Sequence, residues 1–375
     1  MSKASAMGII FANLHDANVA EIAGGRTMAS VPFAGRYRMV DFCLSGMARA
    51  GMHNIGVMVR RNYQSLMDHL GNGREWDLSR KRGGLVIFPP HDGDSDERIR
   101  QGRMETLNQA MGYLTYCTEE LAVLSDCDIA HNLDFSDVLN AHVDSGADIT
   151  AVYDRGEIAG GLQSDNVVFL LDSGGCLSDV RVNDYQKGTQ NLSMHIYVMR
   201  RELLVQIVKD AIVRGMSSFE TDFLAKSLNQ LKVQGYEYTG YRARIHDMQS
   251  YFAESLRLLE GDNLSVLFPP GRPVYTKVRD TAPARYAMGS SVANSLFGDG
   301  CVIEGRVENC VLFRNVHVGK GALLQNCVVM QGSVIEAGAQ MANVVTDKNV
   351  TVCAGRTLCG AGQYPVFISK GSVVE

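Results

Sequence analysis

Short apolar runs alternate with amphipathic stretches over residues 1–266. The apolar runs have the length and β-branched content of buried strands, which predicts strands at 8–12, 54–59, 121–125, 148–153, 167–171 and 194–199. The amphipathic stretches repeat apolar positions at helical spacing, which predicts helices at 40–50, 63–70, 104–116, 135–145, 202–213, 221–232 and 248–259. Strands separated by helices of this length indicate an α/β domain with a mostly parallel sheet and helices on both faces.

The pattern changes after a proline-rich stretch. Residues 267–286 hold four of the eight prolines of the chain and predict a linker, because proline cannot continue a helix or a central strand. From 287 to 375, apolar residues recur every six positions, as at Val316, Ala322 and Val328. This period predicts a left-handed parallel β-helix with glycine or asparagine at its corners. A small sandwich of hairpins is the alternative, but longer runs of period two are missing.

Composition excludes several classes of partner. The chain has 375 residues, of which 46% are hydrophobic, and a formal net charge of −5, so nothing draws it generally to nucleic acid or an anionic membrane. No apolar run approaches the ~20 residues of a membrane span, and the N-terminal one is too short for a secretory signal. The nine cysteines form no C-x-x-C pair, which favours reduced thiols and a cytoplasmic location.

The turn after the first predicted strand poses the main functional question. A phosphate-binding turn is usually rich in glycine, because backbone N–H groups must approach the phosphates closely. Residues 13–19, Asn-Leu-His-Asp-Ala-Asn-Val, contain no glycine. At the same rim of the sheet, Asp126 and Asp128 flank Cys127. Capping of the following turn is favoured over metal binding for the two aspartates, and Cys127 lacks a partner base that would make it a nucleophile.

Several segments resemble bacterial ADP-glucose pyrophosphorylase (glucose-1-phosphate adenylyltransferase). VPFAGRYRMVDF at 31–42 is similar to the family's V-x-F-G-G-K-Y-R-I-I-D-F segment, and GGLVIFPP at 83–90 resembles its next block. SMHIYV at 193–198 resembles its S-M-G-I-Y segment, and DKNV at 347–350 resembles part of its β-helix. The resemblance covers nearly the whole chain and implies a Rossmann-like nucleotidyltransferase domain followed by a hexapeptide β-helix.

In that family, glucose 1-phosphate attacks the α-phosphorus of ATP, and Mg²⁺, lysine and arginine neutralise the developing charge. The resemblance assigns this chemistry to positions that hold other residues here: Asn18 for the loop arginine, Met28 for the following lysine, Cys127 and Arg244 for the two metal aspartates, and Asn183 for the lysine on the sugar phosphate. Because the groups that organise a polyphosphate are absent from these positions, we expect no catalytic residue and no metal there.

The pattern is similar to the GlgD-type regulatory subunit of the family. This implies a non-catalytic or very weakly active chain that needs no cofactor. It would join a catalytic ADP-glucose pyrophosphorylase chain, which uses Mg²⁺, in a heterotetramer and raise its activity in glycogen biosynthesis. An active glucose-1-phosphate adenylyltransferase and a stand-alone sensor of sugar phosphates or nucleotides stay open as alternatives, and self-association is also open.

Five arginines are candidate ligands for an anionic effector such as a sugar phosphate or nucleotide: Arg26, Arg36, Arg38, Arg60 and Arg244. Arg26 follows Gly25, the position where the family has an activator-binding lysine. Ion pairs at a subunit contact are the alternative interpretation. His317, the only histidine of the predicted β-helix, is expected at a corner of the coil.

Overall fold

A computed structural model describes residues 4–89, 102–158, 166–184 and 186–375. The first domain contains the helices α1 (Ala20–Ala23), α2 (Met39–Arg49), α3 (Gln64–Leu70), α4 (Arg103–Gln109), α5 (Met111–Tyr116), α6 (Phe135–Ser145), α7 (Arg201–Arg214), α8 (Ala225–Ser227), α9 (Met248–Arg257) and α10 (Asn263–Leu267). Its strands are β1 (Ala6–Phe11), β2 (Pro32–Phe33), β3 (Tyr37–Arg38), β4 (Asn54–Met58), β5 (Gly84–Phe88), β6 (Leu121–Asp126), β7 (Ile129–His131), β8 (Ile149–Ile158), β9 (Val167–Leu171), β10 (Leu177–Val182), β11 (Gly188–Arg200), β12 (Val233–Glu237) and β13 (Arg242–Arg244).

A nine-stranded sheet forms the centre of this domain within the described residues. The order β5-β4-β1-β6 is parallel throughout, β11 follows antiparallel to β6, and β8 and β12 continue beyond it. Seven strands run in the same direction, and only β10 and β11 run opposite to them. The mostly parallel sheet predicted from the sequence is confirmed, and the long antiparallel β11 brings its residues against the end of β6.

The strand β1 shows why the domain has a core on each side of the sheet. Met7, Ile9 and Phe11 belong to one buried cluster, which includes residues of α4, α5 and α7. Ala6 and Ile10 belong to the other, which includes residues of α2, α6 and α9. Successive side chains of a strand point to opposite faces, so a strand buried on both faces is apolar at nearly every position. The helices therefore lie on both faces, as predicted.

The predicted boundaries hold best where local signals are strong. The helix predicted at 135–145 coincides with α6, which begins after the cap Asp134 and ends at Gly146 with a left-handed φ of 56°. The helix predicted at 104–116 is instead two helices, α4 and α5, which meet at Ala110. The helix predicted at 221–232 is a π-helical turn, Phe219–Leu224, continued by α8.

The proline-rich linker is shorter than 267–286. Leu267 is the last residue of α10, and Arg285, in the first coil of the second domain, already pairs with Val302 of the second coil. The extended chain between them is tied to the first domain, because the backbone N–H of Tyr275 donates to Ser45 Oγ (2.8 Å).

The second domain is a parallel β-helix, in agreement with the hexapeptide pattern. Its strands are β14 (Arg285–Tyr286), β15 (Ser291–Ala293), β16 (Leu296–Phe297), β17 (Val302–Ile303), β18 (Arg306–Glu308), β19 (Val311–Leu312), β20 (His317–Val318), β21 (Leu323–Val329), β22 (Val334–Ile335), β23 (Gln340–Thr346), β24 (Thr351–Val352), β25 (Thr357–Cys359), β26 (Val366–Ile368) and β27 (Val373–Val374). Every pairing between these strands is parallel and joins one coil to the next, as in Val302 to His317 and His317 to Val334. A single antiparallel bridge, Ala361 to Tyr364, lies outside the strands.

The corners of the coil depend on residues that tolerate unusual backbone. The predicted corners Asn326 and Gly338 have φ of 50° and 71°. Gly319 has an ordinary φ and is needed for space, because a Cβ there would lie 2.8 Å from the backbone nitrogen of Ala337 in the next coil. The prediction for His317 is wrong: it lies within β20 with its side chain turned to solvent, 3.7 Å from the carboxylate of Glu304.

The two domains share one hydrophobic core and are joined by a buried ion pair between Arg26 and Asp347. Phe313 and Met330 of the β-helix belong to the same buried cluster as Phe33 and Tyr251 of the first domain. No helix in the described parts of the chain is long and apolar enough to cross a membrane.

Candidate functional site

The turn after β1 is closed by hydrogen bonds of its own. Asn13 Nδ2 donates to Asp16 Oδ2 (2.6 Å), and the backbone N–H of Met28 donates to Asp16 Oδ1 (2.7 Å). Asn13 Oδ1 accepts from the backbone N–H of Arg60 (2.9 Å). Burial raises the pKa of Asp16, although its hydrogen bonds oppose that shift. A carboxylate thus takes donors at the edge of the sheet where a nucleotide-binding loop would offer them to phosphate.

Arg103, at the start of α4, fills the space beside β6. Its guanidinium donates to both oxygens of Asp126 (2.8 and 3.0 Å) and to Glu220 Oε1 (3.1 Å), and it lies over the Phe11 ring at 4.8 Å. Arg103 and Asp126 are 5% and 3% exposed. Burial opposes ionisation of Glu220, but Arg103 and His195 outweigh it and lower the pKa of that carboxyl to about 2. Both carboxylates are therefore neutralised by a cation of the protein itself.

Two histidines complete this cluster. His15 Nε2 lies 2.8 Å from Asp126 Oδ2 and 4.0 Å from Asp128 Oδ1. His195 Nε2 lies 3.9 Å from Asp128 Oδ2, and the two imidazole rings are 5.1 Å apart. Burial alone would lower the pKa of His15, but Asp128 and the hydrogen bond to Asp126 raise it to about 9. His15 therefore carries a proton at neutral pH in the metal-free protein.

Cys127 and Arg244, which stand where the resemblance places two metal-binding aspartates, do not fit Mg²⁺. Cys127 is 2% exposed, its Sγ lies 3.8 Å from Cys43 Sγ, and burial and Cys43 raise its thiol pKa well above the usual value. Arg244 donates to Asp154 Oδ1 (2.9 Å) and to the backbone oxygen of Ser193 (2.8 Å). Mg²⁺ prefers oxygen ligands, and a neutral core thiol and a guanidinium are not such ligands.

Met28, Asn183 and Asn18 stand at the other positions where the resemblance places catalytic side chains. Met28 is 1% exposed and lies in a short 3₁₀ turn, so no cation is available there. Asn183 is exposed in the turn after β10, with a left-handed φ of 57°. The side chain of Asn18 lies outside the described part of the chain.

A second site lies between the domains. It is an open cleft with about 400 Å³ of empty space, which includes the solvent at its mouth, and it is lined partly by Tyr37, His69 and Phe313. Six of its lining residues are cationic, and the described residues that line it include no carboxylate; the cations are Arg36, Arg38, Lys277, Arg279, Arg314 and Lys348. We call this site the cationic cleft.

The cations of this cleft raise the free energy of one another's charged states. Burial and the charges of Arg38 and Arg26 lower the pKa of Lys348 to about 7. Burial, with Arg26 and Arg279 adding to it and Asp41 opposing it, lowers the pKa of Arg38 to about 10. An anion bound in the cleft would relieve this repulsion.

The structure separates the five candidate arginines. Arg36 and Arg38 line the cationic cleft. Arg26 is 4% exposed and directs its guanidinium to both oxygens of Asp347 (2.7 and 2.5 Å), which joins the domains. Arg244 of β13 is ion-paired with Asp154 of β8. Arg60 lies after β4, and its backbone N–H donates to Asn13 Oδ1.

Sequence reasoning missed the partners that define both sites. Arg103 pairs with Asp126 and Glu220, which are 23 and 117 residues away along the chain. Lys348 lies in the DKNV segment, and its positive charge was the one feature of the sequence that could have indicated a cationic site there. Asp154 pairs with Arg242 and Arg244 of β13, and no local sequence pattern predicts this pairing.

Comparison with known proteins supports the architecture. A family model described as Nucleotidyl transferase matches residues 24–159, and one described as GlmU-like, C-terminal hexapeptide matches residues 281–361. The chain is 27% identical to the glucose-1-phosphate adenylyltransferase of Clostridium perfringens (strain SM101 / Type A) over 381 aligned residues, which cover 100% of this chain and 97% of that protein.

Two further relatives carry another name. The chain is 35% identical to the glycogen biosynthesis protein GlgD of Bacillus subtilis (strain 168), with 98% of this chain and 96% of that protein covered. It is 34% identical to the GlgD protein of Geobacillus stearothermophilus, with 85% and 82% covered. Because the match to the Bacillus subtilis protein extends over almost all of both chains, this chain belongs to the GlgD family of glycogen biosynthesis proteins, within the wider glucose-1-phosphate adenylyltransferase family.

Proposed function

We propose that this protein is a non-catalytic or very weakly active regulatory subunit of ADP-glucose pyrophosphorylase in glycogen biosynthesis. It binds a catalytic glucose-1-phosphate adenylyltransferase chain and activates it. The observation that carries the proposal is the pairing of Asp126 with Arg103 and His15 at the end of β6. A carboxylate whose oxygens are taken by protein cations cannot also organise Mg²⁺ and a triphosphate.

The sequence and hydrogen bonds of the turn after β1 also support this proposal. Residues 13–19 precede the Nucleotidyl transferase match, which begins at residue 24. The turn has no glycine, and the carboxylate of Asp16 accepts from the backbone N–H of Met28. An ATP phosphate approaching this edge would meet a carboxylate and bulky side chains, which raises its free energy of binding.

The cationic cleft supports a response to an anionic effector, for which a sugar phosphate or a nucleotide is the proposed class. Arg36 and Arg38 come from the first domain, Lys277 from the linker, and Arg314 and Lys348 from the β-helix. An anion that bridges them adds contacts between the domains. It therefore shifts the population toward the docked arrangement by its differential affinity for that arrangement.

The first coil of the β-helix supports assembly with another chain. Among the described residues, β14, β15 and β16 each pair only with a strand of the second coil, so their other edges are open. Large apolar side chains are exposed on and beside these strands: Tyr286, Met288 and Val292. Open strand edges next to exposed apolar side chains fit a second β-helix chain, and we propose the catalytic subunit of a heterotetramer as that partner.

Turnover is the direct test. The purified chain is incubated with ATP, Mg²⁺ and glucose 1-phosphate, alone and mixed with the catalytic chain of the same organism, and ADP-glucose is measured. We expect the chain alone to be slower than the catalytic chain by orders of magnitude, because both metal carboxylates are replaced. The mixture should exceed the catalytic chain alone and elute as a hetero-oligomer.

The outcomes separate the candidates. Turnover by the chain alone at the rate of the catalytic chain would establish the second candidate, an active adenylyltransferase, which the full-length likeness to the Clostridium perfringens enzyme favours. Failure to associate with the catalytic chain, together with effector binding, would favour a stand-alone sensor. A mixture made with a catalytic chain that lacks its metal carboxylates should be inactive, which assigns the activity to that chain.

Effector binding is tested separately by calorimetry with a sugar bisphosphate and with inorganic pyrophosphate. Lys348→Met removes a cation from the cleft and should weaken binding by about tenfold to a hundredfold, since one lost ion pair near the surface is worth about 1–3 kcal/mol. Lys320→Met removes an exposed lysine of the β-helix that does not line the cleft and serves as the matched control. Equal affinities of the two variants would contradict an effector site in the cleft.

A further inference from the structure

The backbone at His195 is unusual for a histidine. Its φ is 55°, in the left-handed region, and the register between β11 and β8 shifts between Ser193 and Ile196. A residue with a Cβ costs about 1–2 kcal/mol in this conformation, so glycine would be the less strained choice. Bulges of this kind redirect a side chain, and strain is retained where that side chain is needed. The bulge turns His195 into the buried cluster at the end of β6.

Two of the buried polar atoms there have no hydrogen-bond partner within the described structure. They are Asp128 Oδ1 and His195 Nδ1, in side chains whose residues are 5% and 3% exposed. The nearest carboxylate oxygen to His195 Nδ1 belongs to Glu220 and lies 3.9 Å away, beyond hydrogen-bond distance. Buried polar atoms without a partner are costly, and a missing ligand is the simplest account of Asp128 Oδ1. His195 Nδ1 lies on the Glu220 side of the ring, and it is Nε2 that faces Asp128.

We propose that His15, Asp128 and His195 bind a divalent transition-metal ion, Zn²⁺ in the first place. Each residue offers one donor atom, and these atoms lie within 4.8 Å of one another. Ligand atoms of a tetrahedral zinc site are about 3.4 Å apart, as follows from bonds of about 2.1 Å. His15 Nε2 lies 4.0 Å from Asp128 Oδ1 and His195 Nε2 lies 3.9 Å from Asp128 Oδ2, and small rotations of these side chains would bring one carboxylate oxygen to that distance from both nitrogens.

The donor set selects the class of metal. Two imidazoles and one carboxylate suit Zn²⁺, Co²⁺ or Ni²⁺ and do not suit Mg²⁺, which prefers oxygen ligands and water. The metal replaces the proton that His15 now shares with Asp126. Asp126, oriented by Arg103, would stay close to the ion, but its hydrogen bond to Nε2 of His15 would be lost because that nitrogen binds the metal.

The ion would join three separate parts of the chain. His15 belongs to the turn after β1, Asp128 follows β6, and His195 lies in β11. A bound metal would hold residues 13–19 against the sheet and keep the former nucleotide edge closed. This inference does not rest on the regulatory role proposed above, because it concerns binding of a metal to the isolated chain. A bound metal would take His15 from Asp126 and leave Arg103 as the cation paired with that carboxylate.

Cobalt binding tests the site. The full chain, freed of metal by dialysis against a chelator, is titrated with Co²⁺ while visible d–d absorption is followed, and Zn²⁺ is then added as a competitor. We expect one Co²⁺ per chain with intense tetrahedral-type bands that Zn²⁺ abolishes. His195→Gly removes a ligand and relieves the backbone strain, and Asp128→Asn keeps the shape of the side chain. Each should weaken binding about 100-fold or more, beyond the effect of losing an outer-shell partner.

The control is His317→Asn, which removes a histidine in the β-helix and should bind Co²⁺ like the wild-type chain. Circular dichroism and thermal unfolding establish that the variants are folded. Absence of the bands in the wild-type chain overturns the proposal. Binding of equal strength in wild type, His195→Gly and Asp128→Asn also overturns it, because the ion would then lie elsewhere.

Discussion

The buried ion pair between Arg26 and Asp347 gives the sharpest prediction about stability. Both residues are 4% exposed, and the guanidinium donates to both carboxylate oxygens at 2.7 and 2.5 Å. Arg26→Met leaves the Asp347 carboxylate without its cation in the junction between the domains. Removing one partner of such a pair costs about 3–5 kcal/mol of the free energy of unfolding.

An exposed pair across the same junction provides the scale. Arg36 and Asp299 are separated by 4.0 Å, and their side chains are 45% and 39% exposed. Water and salt screen this pair, so Arg36→Met should cost about 0–1 kcal/mol. The double variant Arg26→Met/Asp347→Leu replaces both charges by apolar groups and should recover most of the loss, because no unpaired charge stays buried.

Urea unfolding followed by the fluorescence of Trp76 is the assay. Trp76 is the single tryptophan of the chain and is 2% exposed, and its indole N–H donates to Ser45 Oγ (3.2 Å), which also accepts from the linker residue Tyr275. Its signal therefore reports both the first domain and its contact with the linker. A loss below about 1 kcal/mol for Arg26→Met, equal to that for Arg36→Met, would refute the reasoning, and so would a double variant less stable than the single one.

The remaining predictions concern the cationic cleft and the end of β6. Sulfate should bind about tenfold tighter at pH 6 than at pH 8.5, a pH range over which its own charge is constant. This is the dependence expected if bound sulfate raises the pKa of Lys348, which is about 7 without an anion, by about one unit. Calorimetry should find no such dependence of the affinity on pH in Lys348→Arg. Without an anion, the stability of the wild-type chain relative to Lys348→Met should rise between pH 7 and pH 10, because the unfolded chain still binds the proton that folded Lys348 has lost. Thermal unfolding of both chains is compared because His15, whose pKa is raised to about 9, lowers the stability of both as the pH rises toward that value. Arg103→Met should lower the free energy of unfolding by about 3–5 kcal/mol, more than Arg103→Lys, and a loss under about 1 kcal/mol in urea would contradict the ion cluster. Cys127→Asp, which restores the carboxylate of the resemblance, should cost several kcal/mol more than Cys127→Ser and give no ADP-glucose synthesis, because Arg103 still holds Asp126; measurable turnover would refute this explanation.

Local patterns predicted the elements that local forces determine. The helix α6 has a capping aspartate, a helical apolar stripe and a terminal glycine, and its bounds agree with the sequence. The strands β5 and β12 were not predicted as strands; β12 contains Gly235 and partly exposed residues, and it is held by pairing with β8. Such a strand owes its form to its neighbour rather than to its own propensity.

The sequence alone determined the two domains, the six-residue coil and the side chains missing from the catalytic positions, because periodicity and residue identity are properties of the chain itself. Only the tertiary structure decided what occupies those positions. Arg26 lies 321 residues from Asp347 along the chain, and Arg103 lies 117 residues from Glu220. Charge pairing, burial and the resulting pKa values depend on distance in space and on exclusion of water, and both arise only when the chain has folded.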